Sequence, residues 1–140
     1  MTQRARPILA VTLLLLSSAC HRNDTSPGTT TPSIMVTTET FTGTVPVRGS
    51  ALHSFTVAQT GTVNVTLTAA GPPSTIVMGV GIGTSRDAGC ALLAGASTST
   101  AAGAAVQLAG TVTPGTLCVQ VYDVGNQTAA VSYTVTVAHP

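Results

Sequence analysis

From Ile34 onward the chain alternates apolar and polar residues with a period of two, and that period leaves room for little except β-structure. Successive side chains of a strand point to opposite faces. Gly61-Thr62-Val63-Asn64-Val65-Thr66-Leu67-Thr68 therefore puts Val63, Val65 and Leu67 on one face. Tyr133-Thr134-Val135-Thr136-Val137 repeats the pattern, and Leu117, Val119 and Val121 share a face with Cys118, Gln120 and Tyr122 opposite. Val106, Leu108 and Val112 read as a further row, and Phe55 and Val57 end a strand that begins near Ala51. The continuous apolar run from Thr75 to Ile82 suits a central strand. Turn signals separate the runs about every ten residues: Gly49-Ser50, Gln59-Thr60-Gly61, Gly71-Pro72-Pro73, Ser85-Arg86-Asp87-Ala88-Gly89, Pro114-Gly115 and Gly125-Asn126. Seven or eight short strands spaced in this way predict one all-β domain, a single antiparallel β-sandwich of jelly-roll-like kind. The Gly95-to-Gly103 stretch, rich in Ser, Thr and Gly, is expected to be a mobile loop.

Composition narrows the partners. Charged residues are 6% of the chain, the formal net charge is +1, and there is no Lys. Without a basic patch to neutralise phosphates, nucleic acid is not an expected partner. Threonine takes the place of charge as the polar component, and its β-branched side chain suits the solvent face of a strand.

The first residues carry an address. Arg4 and Arg6 precede an apolar run from Ile8 to Leu16, and Ser17-Ser18-Ala19 leads into Cys20. A basic start, an apolar middle and small residues at a cut make a secretory signal. The run is shorter than the roughly 20 residues a membrane-spanning helix needs. A cysteine after the cut resembles a bacterial lipoprotein signal, which implies acylation of Cys20 and anchorage to a membrane through that lipid. The rival is ordinary secretion, because Ser17-Ser18-Ala19 also suits a standard signal peptidase. The three cysteines favour the anchor. With Cys20 lipidated, Cys90 and Cys118 remain to pair in an oxidising compartment, and no odd thiol is left over. His21 follows Cys20 instead of the Asp that retains enteric lipoproteins at the inner membrane, so the outer membrane or cell surface is open as a destination. The expected division is a signal peptide at 1–19, a lipidated cysteine with a disordered Thr/Ser/Pro tether at 20–33, and the sandwich at 34–140. About 120 residues after the cut are enough for one domain with a real core.

Two segments carry a family likeness. Gly115-Thr116-Leu117-Cys118-Val119-Gln120-Val121-Tyr122, followed by Ser132-Tyr133-Thr134-Val135-Thr136-Val137, resembles the last hairpin of bacterial pre-peptidase C-terminal domains. Phe55-Thr56-Val57 and Gly61 to Leu67 resemble that family's opening strands. The likeness runs from Glu39 to Ala138. It implies a small jelly-roll-like sandwich that serves exported enzymes as an accessory or binding module. One departure stands out: the family's Asp-x-Asp-Leu segment is replaced here by Ser74-Thr75-Ile76-Val77-Met78-Gly79-Val80-Gly81-Ile82, which has no acid.

Chemistry is sparse. His53, Ser54 and Asp123 are the materials of a nucleophile set, but adjacent strand residues point to opposite faces, so His53 and Ser54 cannot readily pair and His53 reads as a surface residue. His21, His53 and His139 have no second ligand at a useful spacing, and Cys90 with Cys118 lacks the C-x-x-C spacing of zinc sites. No metal or cofactor is therefore expected. Asp87 and Asp123 lie near turns, where a weak calcium site competes with turn formation by the side chain. Gly79-Val80-Gly81-Ile82-Gly83 lacks phosphate-loop spacing. It reads as a strand with one bare face, over which Tyr122 or Tyr133 would lie. Asn64-Val65-Thr66 and Asn126-Gln127-Thr128 match glycosylation sequons by chance. The expected function is a non-catalytic, lipid-anchored envelope or surface module for a protein or glycan partner. The alternatives are a purely structural envelope component and a secreted hydrolase.

Overall fold

The computed structural model describes residues 33–87 and 89–140. The expected signal peptide, Cys20, His21 and the expected tether up to residue 32 lie outside the described residues. Among the described residues there is no helix, and eight strands follow one another: β1 (Thr37–Val45), β2 (Ser50–Val57), β3 (Gly61–Gly71), β4 (Val77–Arg86), β5 (Gly89–Ala101), β6 (Leu108–Val112), β7 (Gly115–Asp123) and β8 (Val131–His139). They form two four-stranded sheets, β1-β8-β3-β6 and β2-β7-β4-β5, antiparallel throughout. This is the strand order of a jelly roll.

The period-two rows set the faces. Val63, Val65, Leu67, Val135 and Val137 of one sheet and Met78, Val80, Ile82, Val119 and Val121 of the other are buried against one another as the core. Threonine lines the outer face of the first sheet. Thr40, Thr136 and Thr66 stand in register across β1, β8 and β3.

The register also defines two poles. Val45 pairs with Val131, Ser50 with Tyr122, Met78 with Asp123 and Val77 with Ala101. The connections β1–β2, β3–β4, β5–β6 and β7–β8 therefore all leave one end, the distal pole. The chain enters β1 at the opposite, proximal pole, where Thr37 pairs with His139.

Three expectations are corrected. The stretch from Gly95 was expected to be a mobile loop, yet residues 97–101 pair with residues 77–81 as the second half of β5. The pairing shifts between Gly81 and Gly83, and the four residues between Leu92 and Ser97 face a single residue of β4. The bulge and the left-handed Gly95 (φ 74°) absorb the helix-like alanines that suggested irregular chain. Val106 does not join the row of Leu108 and Val112. It precedes β6 and is exposed, while neighbouring Gln107 uses its side chain as a strand would. Gln107 Oε1 accepts from the Leu67 amide at 2.7 Å and Nε2 donates to the Leu67 carbonyl at 3.3 Å. Finally, β7 and β8 are not a hairpin. They lie in opposite sheets, because in this topology the chain crosses between sheets at almost every turn.

The glycine strip of β4 is covered by the protein itself. A Cβ on Gly79 would collide with the Tyr122 ring, and one on Gly81 would lie 2.7 Å from Leu92 Cδ2. A Cβ on Gly83 would run into the Ala91 carbonyl and approach Cys90 Sγ to 2.8 Å. Of the two tyrosines, it is Tyr122 that covers this strip. Tyr133 lies instead over Gly43 on the inner face of β1, with Oη 2.6 Å from where a Cβ would stand. The bare backbone at Gly83 lets the first half of β5 fold over β4. That fold-over brings Cys90 to Cys118 of β7, with their Cα atoms 5.8 Å apart, and the two form a disulfide across β4.

Candidate functional site

The polar residues singled out in the sequence are dispersed by the fold, each to a structural task. His53 faces inward, contrary to the surface position expected for it. It stands two residues before buried Phe55 on β2, and period two carries it to the same face. Its ring stacks on Phe41 of β1 (centroids 4.7 Å apart, planes at 10°), and its Nε2 shares a 2.8 Å hydrogen bond with Tyr133 Oη of β8. Burial lowers the pKa of His53 below its usual 6.5 and raises that of Tyr133. The neutral form of each is thereby favoured. Ser54 points outward and shares a 3.0 Å hydrogen bond with Ser85. Asp123 lies at the distal pole. The three residues do not meet, and no nucleophile–base pair forms among them.

His139 also faces inward. Its Nε2 lies 3.0 Å from Glu39 Oε1, and its ring packs against Phe55 at 5.2 Å. Two histidines, Glu39, Phe41, Phe55 and Tyr133 thus line one seam where the edge strands β1 and β2 of the two sheets meet.

Asp123 organises the distal pole. Its Oδ2 accepts from the Arg48 amide at 2.7 Å, and its Oδ1 accepts from the amides of Gly125 (2.8 Å), Asn126 (3.1 Å) and Gln127 (3.3 Å). Its pKa is lowered chiefly by the Arg48 amide, with the Gly125, Gln127 and Asn126 amides adding to the effect against a smaller opposing desolvation. A carboxylate facing four N–H dipoles is a loop organiser and not a cation ligand. Asp87 sits in the β4–β5 turn at the proximal pole, so the two aspartates cannot share an ion. Among the described residues no group of three His, Cys, Asp or Glu is placed to hold a metal.

The carboxylate braces the walls of a cleft. Asn126 Nδ2 adds a bond to the Val77 carbonyl at 3.1 Å, and Gln127 Nε2 reaches Met78 Sδ at 3.1 Å beneath. Pro72, Pro73 and Ile76 of the β3–β4 loop face Asn126, Thr128 and Val131 across a cleft of about 280 Å³. No charged or aromatic side chain lines it. Val77 of its lining is 36% exposed, and Val47 and Val124, in the other two loops of this pole, are 43% and 40% exposed. Val47 precedes Arg48, Val124 follows Asp123, and Val77 precedes Met78, the register partner of Asp123. This exposed apolar rim was not read from the sequence. Its signal was a valine beside Arg48, Met78 and Asp123, in three segments that the topology gathers at one end.

Against known proteins, the chain matches no family model and no curated protein.

Proposed function

We propose that the chain is a non-catalytic, lipid-anchored module of a bacterial envelope or cell surface, of the accessory or binding kind that pre-peptidase C-terminal domains represent, and that it engages its partner through the distal pole. The anchor is Cys20. The observation that carries the reading is the division of labour between the poles. The chain enters the sandwich at the proximal pole, while four connections, an uncharged cleft and three exposed valines gather at the other. Loops held by a rigid scaffold are where binding surfaces commonly form. The dispersal of His53, Ser54 and Asp123 to packing and loop-bracing roles supports a module without catalysis.

The partner is a protein or glycan surface of low charge, in keeping with the cleft lining. Metabolic labelling with palmitate in the native host should mark the wild type and not Cys20→Ser. Full-length protein with Val77→Glu should lose a cross-linked envelope partner that Leu52→Glu, on the outer face of β2, retains. Loss in both variants alike would refute the distal pole as the binding surface, and no cross-link in the wild type would favour a purely structural component.

A further inference from the structure

We propose that the β1–β2 seam is an acid-responsive latch that sets how firmly the distal loops are held. The part concerning binding rests on the distal pole being the binding surface; the latch itself stands on the seam alone.

β1 is an edge strand. Along its length it hydrogen-bonds only to β8, and what closes it against the other sheet is its inward row of Glu39, Phe41, Gly43 and Val45. His53 sits in the middle of that closure. From β1 it meets Phe41, with Glu39 two residues away on the same face. From β8 it meets Tyr133, and His139 lies towards the proximal end. Its register partner on β7 is Val119. Among the described residues the acidic side chain on the seam, Glu39, is bonded to His139 and not to His53, and His139 Nδ1 lies 3.2 Å from the Pro140 oxygen. A proton added to the half-buried His53 is therefore placed beside Phe41 and Tyr133, and among the described residues no carboxylate is bonded to it. The other histidine has a carboxylate partner: His139 Nε2 lies 3.0 Å from Glu39 Oε1. Mild acid thus loosens the seam at His53.

The linkage has a definite sign. The folded-state pKa of His53 is below its unfolded value of 6.5. Its contribution to stability is complete above 6.5 and is lost as pH falls through the lower folded value. The half of β1 beyond Phe41 runs through Val45 into the turn at Arg48 and Gly49. That turn is tied in both directions to Asp123: the Arg48 amide donates to Oδ2, and the Asp123 amide donates to the Gly49 carbonyl at 3.0 Å. Asp123 in turn holds the amides of the β7–β8 loop that walls the cleft. Loosening therefore spreads from His53 to the distal loops and not to the start of β1.

Hydrogen exchange of the full-length protein, expressed as protection factors at about pH 7.5 and about pH 5.5, brackets the histidine range. Protection at residues 42–50 and 124–127 should fall at the lower pH, by no more than the roughly tenfold per pH unit that one titrating group allows. Residues 37–40 should not follow. His53→Phe keeps the stack, and His53→Gln keeps a hydrogen bond to Tyr133; neither titrates, and both should abolish the response. A response of equal size in both variants, or none in the wild type, overturns the latch. Cross-linking of the partner at the two pH values separates the two readings. An exchange response with unchanged cross-linking supports the latch and counts against the distal pole as the binding surface.

Discussion

A two-sheet sandwich has two open flanks, and this protein closes them by different means. On the β1/β2 flank it places three of its four Phe and Tyr residues together with His53 and His139, so closure is aromatic, partly polar and sensitive to protons. Towards the β5/β6 flank it uses no aromatic side chain in the core. There β5 folds over β4, the Cys90–Cys118 bond fixes the fold-over, and Gln107 fills in for missing strand pairing. Edge strands are exposed to wrong pairing, and inward polar residues, bulges and covering segments are the usual protections. One flank uses Glu39 and His53, and the other uses a bulge and a cover. A chain with little charge and few aromatics can thus protect two edges if it spends its aromatic residues on one and a covalent bond on the other.

The largest expected effect lies on the covalent side. Cys90→Ala with Cys118→Ala should lower stability by about 3.5 kcal/mol, the chain-entropy value for a loop of this size. The loss should appear in a urea melt as a lower midpoint, with exchange rising first in residues 89–93 and not in β1. Loss of protection in β1 as well would mean that the two flanks are coupled.

Gly83→Val comes next, at the upper end of the roughly 1–3 kcal/mol that overpacking costs. The obstacle is the Ala91 carbonyl, which is backbone and cannot turn away. Thermal melts of the oxidised variant check the loss. Tyr133→Phe, on the other flank, removes the bond to His53 and should cost about 1 kcal/mol. The same substitution should also change the pH at which the seam loosens. A melt shifted equally at all pH values would separate Tyr133 from the latch.

The sequence carried the fold further than the site. Val63, Val65 and Leu67, or Leu117, Val119 and Val121, declare a buried face because alternation is local and strong. The pairing of Cys90 with Cys118 was also readable, since it needed only counting. The inward position of His53 was readable too, two residues before Phe55, but a histidine between a leucine and a serine looks like a solvent position. The strand at residues 97–101 was hidden because its inward residues, Thr98 and Thr100, are small and polar and only half-buried. The distal pole was least legible. Val47, Val77 and Val124 are far apart in sequence, and only the crossing of the chain between sheets brings their loops together.

The smallest effect gives the sharpest contrast between regions. Gly43→Ala and Gly79→Ala each add one methyl beneath a tyrosine ring, Tyr133 in the first case and Tyr122 in the second. Tyr133 is buried and held by His53, so its ring cannot swing without giving up that bond. Gly43→Ala should therefore cost about 1–2 kcal/mol. Tyr122 lies on the outer face of β7 and is partly exposed, with open solvent to turn into. A glycine replaced by alanine also reduces the freedom of the unfolded chain, which favours folding by about 0.4–1 kcal/mol where the backbone fits. Both variants gain this term; at Gly79 it offsets the smaller cost of turning Tyr122 aside, so the net change there should stay within about 0.5 kcal/mol, as for most surface substitutions. Parallel urea melts of the two variants decide the matter. Equal losses would show that Tyr122 is held as tightly as Tyr133, and that the outer face of the second sheet is as rigid a closure as the seam.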